Sequence, residues 1–527
     1  MSTADDSSQL GTRSLDNSAV VARNLSTRYL AIATEAALGV IILPFNVAHL
    51  GTAAYGLWVL AASVTAYFSV LDMGYSGALV KFVAQYRTRR DVRALNEILS
   101  TLFFIFLVAA AVMYGAAGIL AVFVDRVFHL APEQTQTAQI VLLVVTLNVA
   151  ASTAFSVFGG VINGFQRYDL NNIVGSASSV ATALVNVAVL MAGFGLIHLV
   201  IAMTAVRVLT LWVYRANAYR VFPGLRISWS LFRTSRLREV TGFSIHMAVI
   251  DWANKLNYSV DALVIGAFVN TTAVAVWAIA QRLAELSQRI ANQLNDILFP
   301  AVVENDTAAR LDRLQKIFVQ GTKLSLATVV PMSMAMLLLA QPLVTAWVGP
   351  DFSDSVLILQ LLSVVVMIRV GNATGMTVLK GAGSHRVVSA ANIITAVCNV
   401  ALSVAMVRPL GLSGVALGTL IPVGIASMFV LFPLACKRVE LSIPAALARG
   451  VWPSLWPGVV MGVFIVATRP LVPVRLVAVG IECVAAGLVY GITFLLFSLN
   501  PAERHFYLEK LAQMLHINRL RPAEEPL

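Results

Sequence analysis

The sequence predicts an all-α integral membrane protein, and three observations carry that expectation. Apolar residues fill 58% of the 527 positions and charged residues only 12%, about half the ~25% charged fraction of an ordinary soluble domain. Apolar runs succeed one another along almost the whole chain, and Lys and Arg gather in alternate connections between them. A hydrocarbon core of ~30 Å takes about 20 residues per helix, so a dozen or more spans with short connections use up the length. A soluble catalytic domain is thereby excluded.

Taken in order, residues 1–24 are polar and rich in Ser, Asp and Asn, without the basic and short apolar regions of a signal peptide, and are expected to form a disordered tail. Apolar runs follow at 26–48, 53–72, 95–124, 135–162, 170–193, 195–216, 240–268, 271–300, 315–341, 355–380, 386–407, 412–436, 449–468 and 474–498. These predict about fourteen transmembrane helices, the second continuing as an amphipathic stretch from Tyr75 to Arg90. Residues 501–527 read as a second tail. Cys398, Cys436 and Cys483 lie in or at the ends of apolar runs and indicate small buried hydrophobes rather than a disulfide framework.

Orientation follows from the short connections. Lys81, Arg87, Arg89, Arg90 and Arg93 follow span 2; Arg220, Arg226, Arg233, Arg236 and Arg238 follow span 6; Arg310, Arg313 and Lys316 follow span 8. These sides are expected to be cytoplasmic. The alternate connections at 125–134, 193–195, 269–271 and 349–354 hold little or no positive charge. An even count places both termini in the cytoplasm. The net charge of +11 is thus a topology signal, and no nucleic-acid partner is expected.

Internal repetition divides the chain. Leu50–Ala61 resembles Val269–Ala280, aligning Thr52 with Thr271 and Trp58 with Trp277. Further on, Gly164 aligns with Gly381, Asn186 with Asn399, and Gly195-Leu196 with Gly411-Leu412. An offset spanning six helices restores the starting side, so the repeats are expected to be parallel, about an axis along the membrane normal. The predicted organisation is an N-lobe at 25–218, a cytoplasmic linker at 219–239, a C-lobe at 240–437 around a shared central cavity, and two appended helices at 438–500.

The first span with Pro44, the segment HLGTAAYGLW at 49–58, the run LDMGYSGALVKFVAQY at 71–86 and SVDALVIGAFVNTTAVAVWAIA at 259–280 resemble the polysaccharide transporter (oligosaccharide flippase) branch of the multidrug/oligosaccharidyl-lipid/polysaccharide exporters. The likeness extends over essentially the whole chain and includes Asp72 and Gly74 after span 2, and Asp261 in span 7. It implies a flippase without cofactor in a bacterial inner membrane. Such a protein carries undecaprenyl-diphosphate-linked oligosaccharide to the outer leaflet for O-antigen or exopolysaccharide synthesis, with a polysaccharide polymerase or export proteins as partners. A multidrug exporter of the same superfamily, or a polymerase or ligase of lipid-linked sugars, is the alternative. Enzymes of that kind need a water-exposed catalytic surface, and no outward connection is longer than about a dozen residues.

Ionisable groups inside spans cost at least ~2.5–3.5 kcal/mol each and normally face a polar cavity or a partner. Asp251, Asn254, Lys255, Tyr258 and Asp261 fall within about 120° on span 7, at 100° per residue. Asp251 and Lys255 also have the spacing of a helical ion pair. Arg28, Glu35, Gly39 and Asn46 share a face of span 1, and Arg282, Glu285 and Arg289 form a stripe on span 8. Arg369 stands deep in span 10, with no carboxylate in 355–380. With the flippase resemblance, Lys255, Arg282, Arg369 and Arg289 are the candidate diphosphate contacts, since Arg grips phosphate in a bidentate way. Glu35, Asp251 and Asp261 are candidates for ion coupling or charge balance, and Asn46, Asn254, Tyr258 and Asp72 for cavity lining. For each charged group the alternative is a structural ion pair. The seven His show no metal-ligand spacing, and no metal is expected. The GAGSHR segment at 381–386 fits a tight inter-helix turn better than a phosphate nest.

The topology is open to direct measurement. Reporter fusions at Leu130 and Ser353 should behave as external and a fusion at Ser228 as internal; an external signal at Ser228 overturns both the orientation and the parallel repeat.

Overall fold

The computed structural model describes residues 17–68, 75–241 and 260–514. Asp72, Gly74, Asp251, Asn254, Lys255 and Tyr258 lie outside them. Every regular element among the described residues is helical. In the first half these are α1 (Asn17–Leu50), α2 (Thr52–Phe68), α3 (Tyr75–Arg89), α4 (Val92–Val122), α5 (Val124–Phe128), α6 (Pro132–Gly164), α7 (Tyr168–Met191) and α8 (Leu196–Val221). Then come α9 (260–268), α10 (Thr271–Thr307), α11 (Leu311–Leu338), α12 (Ala340–Val348), α13 (Asp354–Gly381) and α14 (His385–Ile425). The chain continues with α15 (Phe432–Arg438), α16 (Ile443–Ala446), α17 (Trp452–Thr468), α18 (Leu476–Thr493) and α19 (Pro501–Met514). Helix α1 starts at Asn17, so the last residues of the expected polar tail belong to the helix.

Ten stretches among the described residues are long and apolar enough to cross a membrane. One of them, Arg386–Arg438, has 53 residues and is interrupted at Gly411, whose φ of 58° and ψ of −137° are not helical. Thr52–Phe68 is apolar but shorter. Helix α10 is more polar, with Gln281, Arg282, Glu285, Gln288 and Arg289 close together.

Helix ends repeat more faithfully than side chains. Thr52 and Thr271 each open a helix, and Gly164 and Gly381 each close one. Left-handed residues pair at offsets of 219 (Arg90, Ala309), 220 (His129, Gly349), 217 (Gln166, Gly383) and 218 (Gly193, Gly411). The turn after α6 bonds Phe165, Gln166 and Arg167 N–H to the carbonyls of Val161, Asn163 and Ile162; the turn after α13 bonds Ala382, Gly383 and Ser384 to Val378, Lys380 and Leu379 in the same pattern. These are the paired reverse bonds that cap orphan carbonyls at a helix end, so the GAGSHR segment is a tight turn at 382–384 between two helix ends. Offsets of 217 and 218 flanking α7 leave no room for the 213 that pairs Asn186 with Asn399. The geometry places Ser403 opposite Asn186 and Gly193, not Gly195, opposite Gly411. Apolar helices resemble each other at several registers, whereas a left-handed residue marks one.

The described residues form two compact units, one running to Arg282 with Asn392–Thr419 and the other comprising Leu283–Ala391 with the residues from Leu420 onward. In the first, α6 packs between α4 and α8, α7 lies on α1 and α8, and α3 rests on α4 and α6. Asp91 caps α4 by accepting from Ala94 N–H at 2.9 Å, satisfying one of the helix's orphan donors. The next turns of α4 carry buried Asn96, Glu97, Ser100 and Thr101, which hold the connection after α8. Asn96 donates to Gly224 O at 2.8 Å and accepts from Arg226 N–H at 2.9 Å. Ser100 lies 3.2 Å from both Arg226 O and Ser228 N, Thr101 accepts from Arg233 N–H at 3.0 Å, and Glu97 meets Arg236 at 3.2 Å. The predicted linker is therefore stitched to α4 along its length.

In the second unit α11 packs against α13, α17 and α18. Lys323 of α11, its side chain 9% exposed, pairs with Glu503 of α19 at 2.9 Å. Glu503 also closes a reciprocal cap with Asn500: its N–H donates to Asn500 Oδ1 at 2.8 Å, and Asn500 N–H donates to its carboxylate at 3.1 Å. Because Gln serves such a cap as well as Glu does, Glu503→Gln removes the ion pair while sparing the helix start. Losing one partner of a buried pair costs about 3–5 kcal/mol. The melting temperature of the purified full-length chain should fall in Glu503→Gln and recover in the Glu503→Gln, Lys323→Met double variant; an unchanged single variant would show that the pair carries no stability.

Candidate functional site

In the first unit one residue of the stripe expected on span 8, Arg282, meets the stripe expected on span 1. The guanidinium of Arg282, on α10, lies against Gly39 of α1: a Cβ built on Gly39 would stand 2.0 Å from Nη2 and 2.8 Å from Cζ and Nε. Only a residue without a side chain leaves that place open. Glu35 lies one turn before Gly39 and Asn46 two turns after it, so a carboxylate, a guanidinium and an amide follow one face of α1. Glu35 is exposed within the chain, whereas Asn46 is buried and its Oδ1 has no hydrogen-bond partner among the described residues. Tyr55 of α2 is buried within electrostatic reach of Arg282.

The seat of Arg282 is set by close approaches on either side. Gly56 of α2 lets the start of α10 come near, a built Cβ falling 1.8 Å from Thr271 O. Trp277, fully buried one and a half turns before Arg282, donates its indole N–H to Gln281 Oε1 at 2.8 Å. Together these fix where the Arg282 side chain leaves its helix.

Asp261 is the second centre of this unit. It is 5% exposed on α9, and its two carboxylate oxygens accept from the Thr419 hydroxyl at 3.2 and 3.3 Å. Ser403 Oγ, across the break at Gly411, donates to Asn399 Oδ1 at 3.1 Å and lies 3.4 Å from Val415 O; Thr419 Oγ1 lies 3.3 Å from the same carbonyl. Asn399, Ser403 and Thr419 are all buried. The result is a buried carboxylate held by the Thr419 hydroxyl, at one end of a hydrogen-bonded row that runs through Val415 O and Ser403 to Asn399. Sequence reading missed Ser403 and Thr419. Their signal was the position of Ser403 and Thr419, each eight residues from Gly411 on opposite sides of it.

Arg289 and Arg369 belong to the second unit. Arg289 is exposed and Arg369 half-buried. One turn beyond Arg369, buried Asn372 has an Oδ1 without a hydrogen-bond partner among the described residues. On the next turn, Thr374 donates to Asn295 Oδ1 at 2.9 Å and lies 3.3 Å from Ser325 Oγ, while Asn295 Nδ2 donates to Ser325 at 3.3 Å. This closed trio joins α10, α11 and α13. Of the expected site residues, then, Arg282, Gly39 and the Glu35 face come together, Asp261 gathers its own polar shell, and Lys255, Asp251, Asn254, Tyr258 and Asp72 fall outside the described residues.

Comparisons with known proteins agree with this architecture. A family model described as polysaccharide biosynthesis protein matches residues 49–357. The probable flippase AglR of Haloferax volcanii is 22% identical over 501 residues, 92% of this chain and 98% of the relative. Among solved structures, the lipid II flippase MurJ in an inward closed conformation superposes with a TM-score of 0.71 at 14% identity, over 92% of this chain and 99% of that one. An inward-facing multidrug resistance transporter of the MATE family gives 0.61 at 16% identity, over 73% and 93%. The chain thus shares the fold of these solved structures, and with more than half of its length matched by the family model, it belongs to the polysaccharide biosynthesis protein family.

Proposed function

We propose that this protein is a flippase that moves an undecaprenyl-diphosphate-linked oligosaccharide across a bacterial cytoplasmic membrane by alternating access, with both termini in the cytoplasm. The observation that carries the reading is the guanidinium of Arg282, lodged against a side-chain-free position of α1 within apolar helices. A sugar headgroup cannot leave water without replacement hydrogen bonds, and its diphosphate needs cations that stay charged in a low dielectric. Arg282 meets that need, and Arg369 and Arg289 add cations in the second unit. A cationic drug would meet repulsion from Arg282, which favours the lipid-linked anion over a multidrug substrate.

Asp261 is our candidate for ion coupling. A buried carboxylate bonded to one hydroxyl is an oxygen site suited to a proton or a small cation, since its charge is costly to leave unmet inside apolar helices. Binding there would tie α9 to the 392–419 segment, and release would loosen them. Asp261→Asn should keep expression and substrate binding but abolish the dependence of transport on the cation gradient; unchanged gradient dependence removes Asp261 from coupling.

Transport itself is tested with labelled lipid-linked glycan. A deletion strain should complete the glycan on its carrier but retain it on the inner leaflet, and an incomplete glycan, or normal outer-leaflet arrival without another transporter, rejects the flippase reading. In the same assay Arg282→Ala should reduce transport by about one to two orders of magnitude, the scale of one lost charge-assisted contact of ~1.5–3 kcal/mol. Gly39→Ala should resemble it at normal protein level, since a methyl group displaces the flexible guanidinium rather than the helix. Full activity in Gly39→Ala would show that the seat of Arg282 is irrelevant to transport.

A further inference from the structure

The second unit holds a polar cleft that neither the transport path nor the ion-coupling residues use. It has a volume of about 230 Å³ and is walled by α11, by the connection around Leu441, by Arg449 and by Glu503 at the start of α19. Gln315 holds one wall in place, its amide donating to Val439 O at 2.8 Å and Glu440 O at 3.3 Å. Glu503 faces the cleft already engaged by Lys323 at 2.9 Å and by Asn500 N–H, so its charge is met within the protein. Three other charged side chains line the same space: Lys316, Arg449 and Asp312. All three are exposed, and none forms an ion pair among the described residues. The cleft therefore offers two cations and one carboxylate.

Its height in the membrane is marked by its neighbours. Lys316 lies in the second turn of α11, at the basic end of that helix, and Arg449 stands between Leu447 and Trp452, which are 44% and 62% exposed. An exposed Trp beside an Arg, next to apolar surface, is the pattern of the bilayer interface, and basic pockets between helices on that side take lipid headgroups. A ligand seated here would find a polar cradle for its head and an apolar surface for its chains.

We propose that this cleft binds a phospholipid with a primary amine headgroup, its phosphate between Lys316 and Arg449 and its ammonium at Asp312. Charge selects that headgroup. A purely anionic lipid satisfies the two cations but leaves Asp312 without a partner, whereas a phosphoethanolamine group meets all three side chains. A quaternary amine has no N–H to donate to the carboxylate. The bound lipid would brace α11, the α16–α17 entrance and α19 together, at the same corner that the Lys323–Glu503 pair closes from inside. The site is separate from the substrate contacts proposed above, and its test reads lipid binding alone.

The experiment uses the purified full-length chain in nanodiscs or mixed micelles, titrated with phosphatidylethanolamine, phosphatidylcholine or phosphatidylglycerol, with bound lipid counted by native mass spectrometry. Phosphatidylethanolamine should bind about fivefold more tightly than either of the others, as expected for one partly exposed charge contact. Asp312→Asn should abolish that preference while leaving phosphatidylglycerol binding equal or stronger. Lys316→Gln with Arg449→Gln should weaken all three lipids together. These are exposed positions, so folding is checked by an unchanged melting temperature in lipid-free detergent. Equal binding of the three lipids, a preference for phosphatidylglycerol in the natural chain, or a preference for phosphatidylethanolamine that survives Asp312→Asn would each overturn the proposal.

Discussion

A charge carried on a helix through hydrocarbon must be met by another polar group, because water is not there to meet it. Much of the tertiary structure can be read as the ways in which this chain satisfies that demand. Asp261 draws Thr419 onto α9, Lys323 draws α19 onto α11, and Glu482, 3% exposed on α18, draws Arg469 from the end of α17 to 2.9 Å. Each pair fixes one helix against another at a point that apolar packing alone would leave free to slide. Leu and Val fill space equally well at several registers, while a carboxylate has one place where its partner can reach.

Arg282 follows the same rule in a different form. Its head is packed on Gly39, where the missing side chain creates the space, and the carboxylate of Glu35 lies a turn away along the same helix face. A guanidinium held in this way is positioned by sterics and accompanied by charge, which leaves N–H donors that a phosphate could use. The Asn295–Ser325–Thr374 trio is the contrasting case. Its hydrogen bonds close on themselves, and it reads as structural glue between helices.

How much of this the sequence disclosed depends on whether a feature is local. Helical class, membrane character and the repeat were legible because hydropathy and loop charge are written along the chain, and Thr52 with Thr271 and Gly164 with Gly381 sit at helix ends in both copies. The register through α7 and α14 was misread, because Asn186 and Asn399 match by identity in runs where almost any apolar frame fits. The stripes on α1 and α10 were legible singly; the contact of Arg282 with Gly39 was not, since it joins residues 243 positions apart and no periodicity encodes it. Asn96, Ser100 and Thr101 went unremarked for the opposite reason. A polar residue near a helix end is ordinarily solvated, and only the path of the connection after α8 shows that these are buried.

That connection has a consequence in time. Its hydrogen bonds to α4 join residues 126 to 132 positions apart, and at roughly 5–20 residues per second of synthesis the ribosome needs roughly 6–26 s to travel from one partner to the other. Through that interval the polar turns of α4 lack their mates, while three further membrane helices of the first half, α6, α7 and α8, are made. The connection thus closes over a helix made well before it. Until it closes, Asn96, Ser100 and Thr101 must find other partners for their polar groups, so the order of synthesis leaves this corner of the fold to be completed after the helices that surround it.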